Sequence, residues 1–253
     1  MNIFLLGHNG YLGSYLVKHL EVDTILQNKK YDYFINCASR TSLEYCEKNP
    51  QESLESNYNI LCETHSKIPD AKIISFSSYY VYDHSGVCTE ESPTTDRYQY
   101  TKHKLAAEKF TVEQGGIVFR LGKLFGNPNH HQKRLTEVFV DSDEITLDEV
   151  MFNPTSVNQV FRVVDYELRS NTLHGVYNLS NKGSTSHAEY GKYIDKILNT
   201  STAISIIPRM SRNFHNYGNF LMDSSKIRDH IALTSWQQDV EDYLTGWRKI
   251  GHV

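Results

Sequence analysis

The first residues, Met1 to Leu6, form a short apolar run that stops at a glycine, which suits a parallel strand buried on both faces. Tyr15, Leu16, Val17 and Leu20 then recur at helical spacing, so strand, glycine turn and helix come in that order. Tyr31–Ser39, Ala71–Ser78 and Ile117–Leu121 are further apolar runs of strand length, and Gly175–Ser180 reads as another strand. Helical stretches lie between them, including one rich in helix formers from Tyr100 to Glu108. Beyond Asn127 the chain becomes more polar and its periodicity weakens. Asn129–Lys133 reads as a loop, and Leu135–Val140 as a short helix or strand. Ser186 and Glu189 have the spacing of a capping box at a helix start. A last helix runs from Trp236 to Trp247, with Val240, Tyr243, Leu244 and Trp247 on one face. Strands alternating with helices, without internal repeats, predict a doubly wound α/β parallel sheet.

Composition narrows the picture only a little. The 253 residues suit one large domain with a smaller lobe, and 39% hydrophobic with 22% charged residues is an ordinary globular balance. A net charge of −4 without a sustained basic run gives no argument for nucleic acid or an anionic membrane surface. The opening apolar run is far too short for a signal peptide or a membrane span. Cys37, Cys46, Cys62 and Cys88 lack zinc-type pairing and read as free thiols in a reducing cytosol, so a cytoplasmic location is expected. The twelve histidines are scattered, and His130-His131 reads as a solvated surface pair rather than a metal site.

Candidate chemistry lies at two places. Gly7-His8-Asn9-Gly10-Tyr11-Leu12-Gly13 stands between the first strand and helix, the context in which glycines shape a phosphate site. Gly7 and Gly10 allow a tight turn and close backbone approach, the helix N-terminus offers free N–H groups to a pyrophosphate, and Gly13 lets the helix pack closely. Further on, a tyrosine stands four residues before a lysine, which puts both on one helix face. An ammonium near a phenol lowers its pKa and makes it a usable proton donor or acceptor. Two registers overlap, Tyr98/Lys102 and Tyr100/Lys104, on roughly opposite sides of the helix. One stretch departs from the expected pattern. A dinucleotide fold supplies an acid or a nearby Arg about 20 residues after the glycines, yet Glu21–Lys30 leaves no room for a full strand–helix–strand unit. Asp23 could touch an adenosine ribose or cap a helix, and Lys29 and Lys30 could face a 2′-phosphate or water.

The spacing Gly-x-x-Gly-x-x-Gly resembles the extended short-chain dehydrogenase/reductase superfamily, and the likeness runs nearly end to end. Asn36-Cys37-Ala38-Ser39 is similar to the strand end that lines the cofactor in that superfamily. Asn57, mid-helix where propensity disfavours it, falls in its next helix pattern. Ser77-Ser78-Tyr79-Tyr80-Val81-Tyr82-Asp83 looks like its Ser-Thr-Asp-Tyr-Val-Phe-Asp block. Tyr100-Thr101-Lys102-His103-Lys104-Leu105-Ala106-Ala107-Glu108 looks like its Tyr-x-x-x-Lys-Leu-Ala-Gly-Glu, which selects Tyr100/Lys104 over Tyr98/Lys102. Ile117–Gly126 is similar to the strand passing beside the nicotinamide, and Pro154-Thr155 resembles the pair that opens a later helix. The dTDP-4-dehydrorhamnose reductase branch is the one most resembled.

This resemblance implies a Rossmann-type dinucleotide-binding domain over residues 1–126 and 154–181, with a substrate lobe over 127–153 and 182–253. It implies an NAD- or NADP-dependent reductase of a nucleotide-linked 4-keto sugar. Tyr100 is then the general acid/base, Lys104 orients the nicotinamide ribose, and Ser78 holds the carbonyl oxygen. Gly7, Asn9, Gly10, Tyr11, Leu12, Gly13, Cys37, Ala38, Ser39, Asn57, Lys104 and Leu121 are expected around the cofactor. A homodimer through the helix from Tyr100 to Thr111 is expected by the same analogy. No metal is expected. Tyr79 departs from the Asp of the reductase block, and Thr-Asp-Glu of a dehydratase is absent around Ser78–Tyr80. Two other readings belong to the same superfamily. One is a nucleotide-sugar epimerase with tightly held NAD. The other is a non-catalytic regulatory protein, as in a subunit of methionine adenosyltransferase.

Overall fold

The computed structural model of the chain describes residues 1–83, 85–128, 130–200, 202–207 and 220–249. Asn129, at the head of the predicted loop, and residues 208–219 and 250–253 of the predicted lobe lie outside the described residues. Five strands, Ile3–Leu6, Tyr33–Asn36, Lys72–Ser78, Ile117–Leu121 and Gly175–Leu179, lie side by side in that order. Every neighbouring pair is parallel, so each connection must cross over the sheet.

The period-two alternation of strand side chains divides the core. Ile3, Leu5, Ile35, Ile74 and Phe119 meet Leu16 of the Gly13–His19 helix and Val160, Val163, Val164 and Leu168 of the Val157–Ser170 helix. Phe4, Phe34 and Ile73 point the other way and meet Leu61 and Ala107, from the Ile60–Lys67 and Gln99–Glu113 helices. Helices on both faces bury each strand on both sides, which is why the strands read as continuous apolar runs. The sheet is thus doubly wound, as predicted. Each such aliphatic or aromatic side chain contributes about 1.5–3 kcal/mol by leaving water.

A second core gathers Phe125, Phe139, Phe152, Tyr190, Trp236, Val240 and Leu244. Leu135–Val140 is a helix, with Phe139 buried. At the predicted capping box the Ser186 hydroxyl accepts from Glu189 N at 3.1 Å, but the Glu189 carboxylate pairs with Lys192 instead of returning to the cap. Asp239 ties the last helix to the sheet domain. Its carboxylate accepts from the hydroxyl of Ser156, from Asn181 Nδ2 at 2.7 Å and from Arg162 Nη2 at 3.2 Å. All four cysteines are free thiols. Among the described residues no helix is long and apolar enough to cross a membrane.

Candidate active site

The carboxyl ends of parallel strands form the crevice where open α/β sheets bind ligands. Here the ends of the first four strands border a cavity of about 730 Å³. At the first of them Gly7 adopts φ +83°, and a Cβ there would fall 2.4 Å from Ala38 N. Only glycine allows both the turn and this contact between neighbouring strand ends. A Cβ on Gly13 would fall 2.2 Å from the Gly7 carbonyl oxygen, so these two glycines shape the turn from behind. Neither lines the cavity; Asn9, Gly10, Tyr11 and Leu12 do.

At the second strand end Asn36 Oδ1 accepts from Ala38 N at 3.2 Å, which curls Cys37, Ala38 and Ser39 along the cavity wall. Asn57 stands behind that wall rather than in it. It is buried in a single π-helical turn, Glu55–Asn59, where its Oδ1 accepts from the Ser39 hydroxyl at 2.7 Å and from Arg40 N at 3.2 Å. The structure therefore moves Asn57 from expected cofactor contact to support of the wall.

Ser78, Tyr100 and Lys104 meet at the centre. Ser78 ends the third strand, and Tyr100 and Lys104 lie one turn apart on the Gln99–Glu113 helix, which packs against that strand. All three line the cavity, whereas Tyr98 and Lys102 do not. The Tyr100 ring is buried against Leu43, Cys46 and Tyr80. Burial pushes its phenol well above the ordinary tyrosine value, and a hydrogen bond from the Ser78 hydroxyl works the other way. Lys104 is not among the main groups that shift the phenol, and its Nζ donates to the Phe76 carbonyl at 2.8 Å. The next residue, Ser77, carries a buried hydroxyl without a partner within the described structure.

Burial also lowers Lys104 to about 8, with nearby Glu108 opposing the shift. Its ammonium therefore destabilises the folded chain at neutral pH. That penalty is fully present below about pH 8 and fades as the pH rises toward the ordinary lysine value, because there the unfolded chain holds the extra proton. Urea unfolding of the wild type and Lys104→Met should register it. Between pH 7 and pH 10 the difference should move in favour of the wild type by about 2–3 kcal/mol, whatever the offset from the lost bond to Phe76. A difference constant across that range would place the lysine titration elsewhere.

The cavity wall also includes Lys123, which no local pattern in the sequence announced. Lys123 Nζ lies 2.8 Å from His187 Nε2, and His187 Nδ1 lies 2.7 Å from Asp148 Oδ1. Lysine can only donate, so Nε2 accepts and Nδ1 carries the proton shared with Asp148. The three residues come from separate elements, 25 and 39 residues apart along the chain, and only folding aligns them. His130-His131 is not a simple surface pair. His130 approaches Asn9 O at 3.1 Å and packs edge-on against Tyr11, and both histidines line the cavity. Arg134 places its guanidinium 4.8 Å from the centre of the Tyr11 ring.

These residues fit one half of a nicotinamide dinucleotide. Gly10 leaves the backbone open beside the first helix, as a phosphate needs, and Lys104, Ser77 and Leu121 line the same cavity. On the adenosine side the chain offers no comparable wall: none of residues 20–32 lines the cavity. Among the described residues no cluster of His, Cys, Asp and Glu could hold a metal.

Comparison with known proteins places this geometry. The RmlD substrate binding domain family matches residues 16–248. A dTDP-4-dehydrorhamnose reductase from Clostridium acetobutylicum is 21% identical and superposes with a TM-score of 0.82, over 98% of this chain and 100% of that one. The dTDP-4-dehydrorhamnose reductase of Bacillus anthracis, solved in complex with NADP, is 20% identical with a TM-score of 0.81, over 97% and 99%. The UDP-glucose 4-epimerase of Thermotoga maritima, solved with UDP-glucose, is 15% identical with a TM-score of 0.79, over 99% of both chains. The chain belongs to the RmlD substrate binding domain family.

Proposed function

We propose that this oxidoreductase reduces the 4-keto group of a nucleotide-linked sugar, with Tyr100 as proton donor, Ser78 as the group that holds the keto oxygen, and Lys104 as the cation that orients the nicotinamide ribose. The observation that carries the reading is the convergence of Ser78, Tyr100 and Lys104 on one cavity beside the glycine turn. A nicotinamide cofactor, when bound, supplies the hydride. As the keto carbon is reduced, its oxygen gains negative charge, and the Ser78 hydroxyl can donate a hydrogen bond to it. Tyr100 then passes its proton to that oxygen, and the phenolate left behind has the Lys104 ammonium one turn along the helix. The buried phenol keeps its proton at neutral pH, the state a donor needs at the start of a reduction.

His130, His131, Gln132 and Arg134 would supply the sugar-nucleotide wall, with Lys123, held by His187, facing the substrate beside them. The test is direct. The purified chain should oxidise NADH or NADPH in the presence of dTDP-4-dehydrorhamnose, and should leave UDP-galactose and UDP-glucose unconverted. Interconversion of those two sugars without added cofactor would establish the epimerase instead. Absence of turnover across 4-keto sugar nucleotides, in folded protein that binds cofactor, would sink the reductase reading.

A further inference from the structure

In a dinucleotide fold the strand beside the first one carries the group that reads the adenosine ribose, an acid for a 2′-hydroxyl or an Arg for a 2′-phosphate. This chain reduces that strand to one bridge. Phe4 pairs with Asp23, with Leu5 N donating to Asp23 O and Asp23 N to Ile3 O, both at 2.9 Å. The chain then turns back: Gln27 N donates to the Tyr31 hydroxyl at 3.0 Å, and Asn2 Nδ2 to Lys30 O at 2.8 Å. By Tyr33 it already pairs with Ile3 on the opposite side of the first strand. A parallel crossover with a helix takes a dozen or more residues, and residues 24–32 are too few for one.

The charged groups beside this bridge, Asp23 and Lys29, are occupied with one another. The Asp23 carboxylate accepts from the Tyr31 hydroxyl at 2.9 Å and pairs with Lys29 at 2.6 Å. Lys30 pairs with Asp70 at 3.4 Å. The lone bridge at Phe4 also stops below the glycine turn, which begins at Gly7. So the wall is built where a pyrophosphate and nicotinamide riboside would lie and is missing where an adenosine would lie.

On the reading that the cavity takes a nicotinamide cofactor, we propose that this chain holds that cofactor by its nicotinamide–ribose–phosphate half, leaves the adenosine at an open sheet edge, and therefore does not distinguish NADH from NADPH. Discrimination between the two is a difference of affinities, and none of residues 20–32, the segment that would create one, lines the cavity. A shorter ligand that keeps the nicotinamide, its ribose and one phosphate should bind nearly as well as the dinucleotide.

The experiment is equilibrium titration of the purified chain with NADH, NADPH and reduced nicotinamide mononucleotide, read by nicotinamide fluorescence and by thermal shift. NADH and NADPH should bind within about threefold of one another, and the mononucleotide within about tenfold of both. Asp23→Asn, checked for folding by its own melting curve, should leave all three constants within about twofold. A tenfold or larger preference between NADH and NADPH would overturn the inference while upholding the cofactor reading. So would a hundredfold weaker mononucleotide, or a loss of NADH binding in Asp23→Asn. Binding of none of the three would overturn the cofactor reading itself, and this inference with it.

Discussion

Tyr100→Phe should lower kcat by about 10²–10⁴-fold, the range that a positioned acid contributes, while cofactor affinity and folding stay close to wild type. The substitution removes one hydroxyl and keeps the ring that Leu43, Cys46 and Tyr80 surround. Ser78 keeps a partner, since its hydroxyl accepts from Tyr80 N at 3.3 Å, so the stability change should be about 1 kcal/mol or less. Tyr98→Phe is the internal control: Tyr98 does not line the cavity, and its loss should leave turnover unchanged. Steady-state kinetics beside melting curves would read both. Activity kept in Tyr100→Phe and lost in Tyr98→Phe would reverse the assignment of register.

The largest stability effect is expected at Arg120 and Glu108, which lie behind the site. Both are almost fully buried. Arg120 Nη2 lies 2.7 Å and Nε 3.0 Å from the two carboxylate oxygens of Glu108, a bidentate pair. The remaining nitrogen donates to the Tyr82 hydroxyl at 3.2 Å and to Glu90 O at 3.1 Å. Arg120→Met would leave the Glu108 carboxylate buried without its counter-charge, a defect worth about 3–5 kcal/mol, or a melting temperature lower by on the order of 10 °C. Pairing it with Glu108→Leu should recover a large part of that loss, because the uncompensated charge disappears. Glu108 lies one turn beyond Lys104 on the helix that also carries Tyr100. The single variant should thus lose activity through misplacement of both. A cost below 1 kcal/mol by urea unfolding would show that the pair is dispensable.

The sheet was legible because its strands are buried on both faces. Runs such as Ile117–Leu121 must be apolar throughout, so they stand out by composition alone. The glycine turn was legible for a related reason: a Cβ on Gly7 or Gly13 would fall 2.4 or 2.2 Å from backbone, and no other residue type fits there. Asn57 was visible as an oddity in a helix but not in its purpose. That depended on a π turn which aims its side chain at Ser39 and Arg40. The spacing of Tyr100 and Lys104 on a helix did not reveal that the Phe76 carbonyl takes a bond from the ammonium.

What this sequence determined by itself was local and periodic: the order of strands and helices, the two glycines that backbone contact demands, and the helical spacing that joins Tyr100 to Lys104. Tertiary structure alone decided what lay between distant segments. It brought Tyr100 and Ser78 to one cavity, aligned Lys123, His187 and Asp148, and closed Asp23 onto Lys29 and Tyr31. The physical reason is that burial and partnership belong to pairs of surfaces, and a sequence read one residue at a time contains only half of each pair.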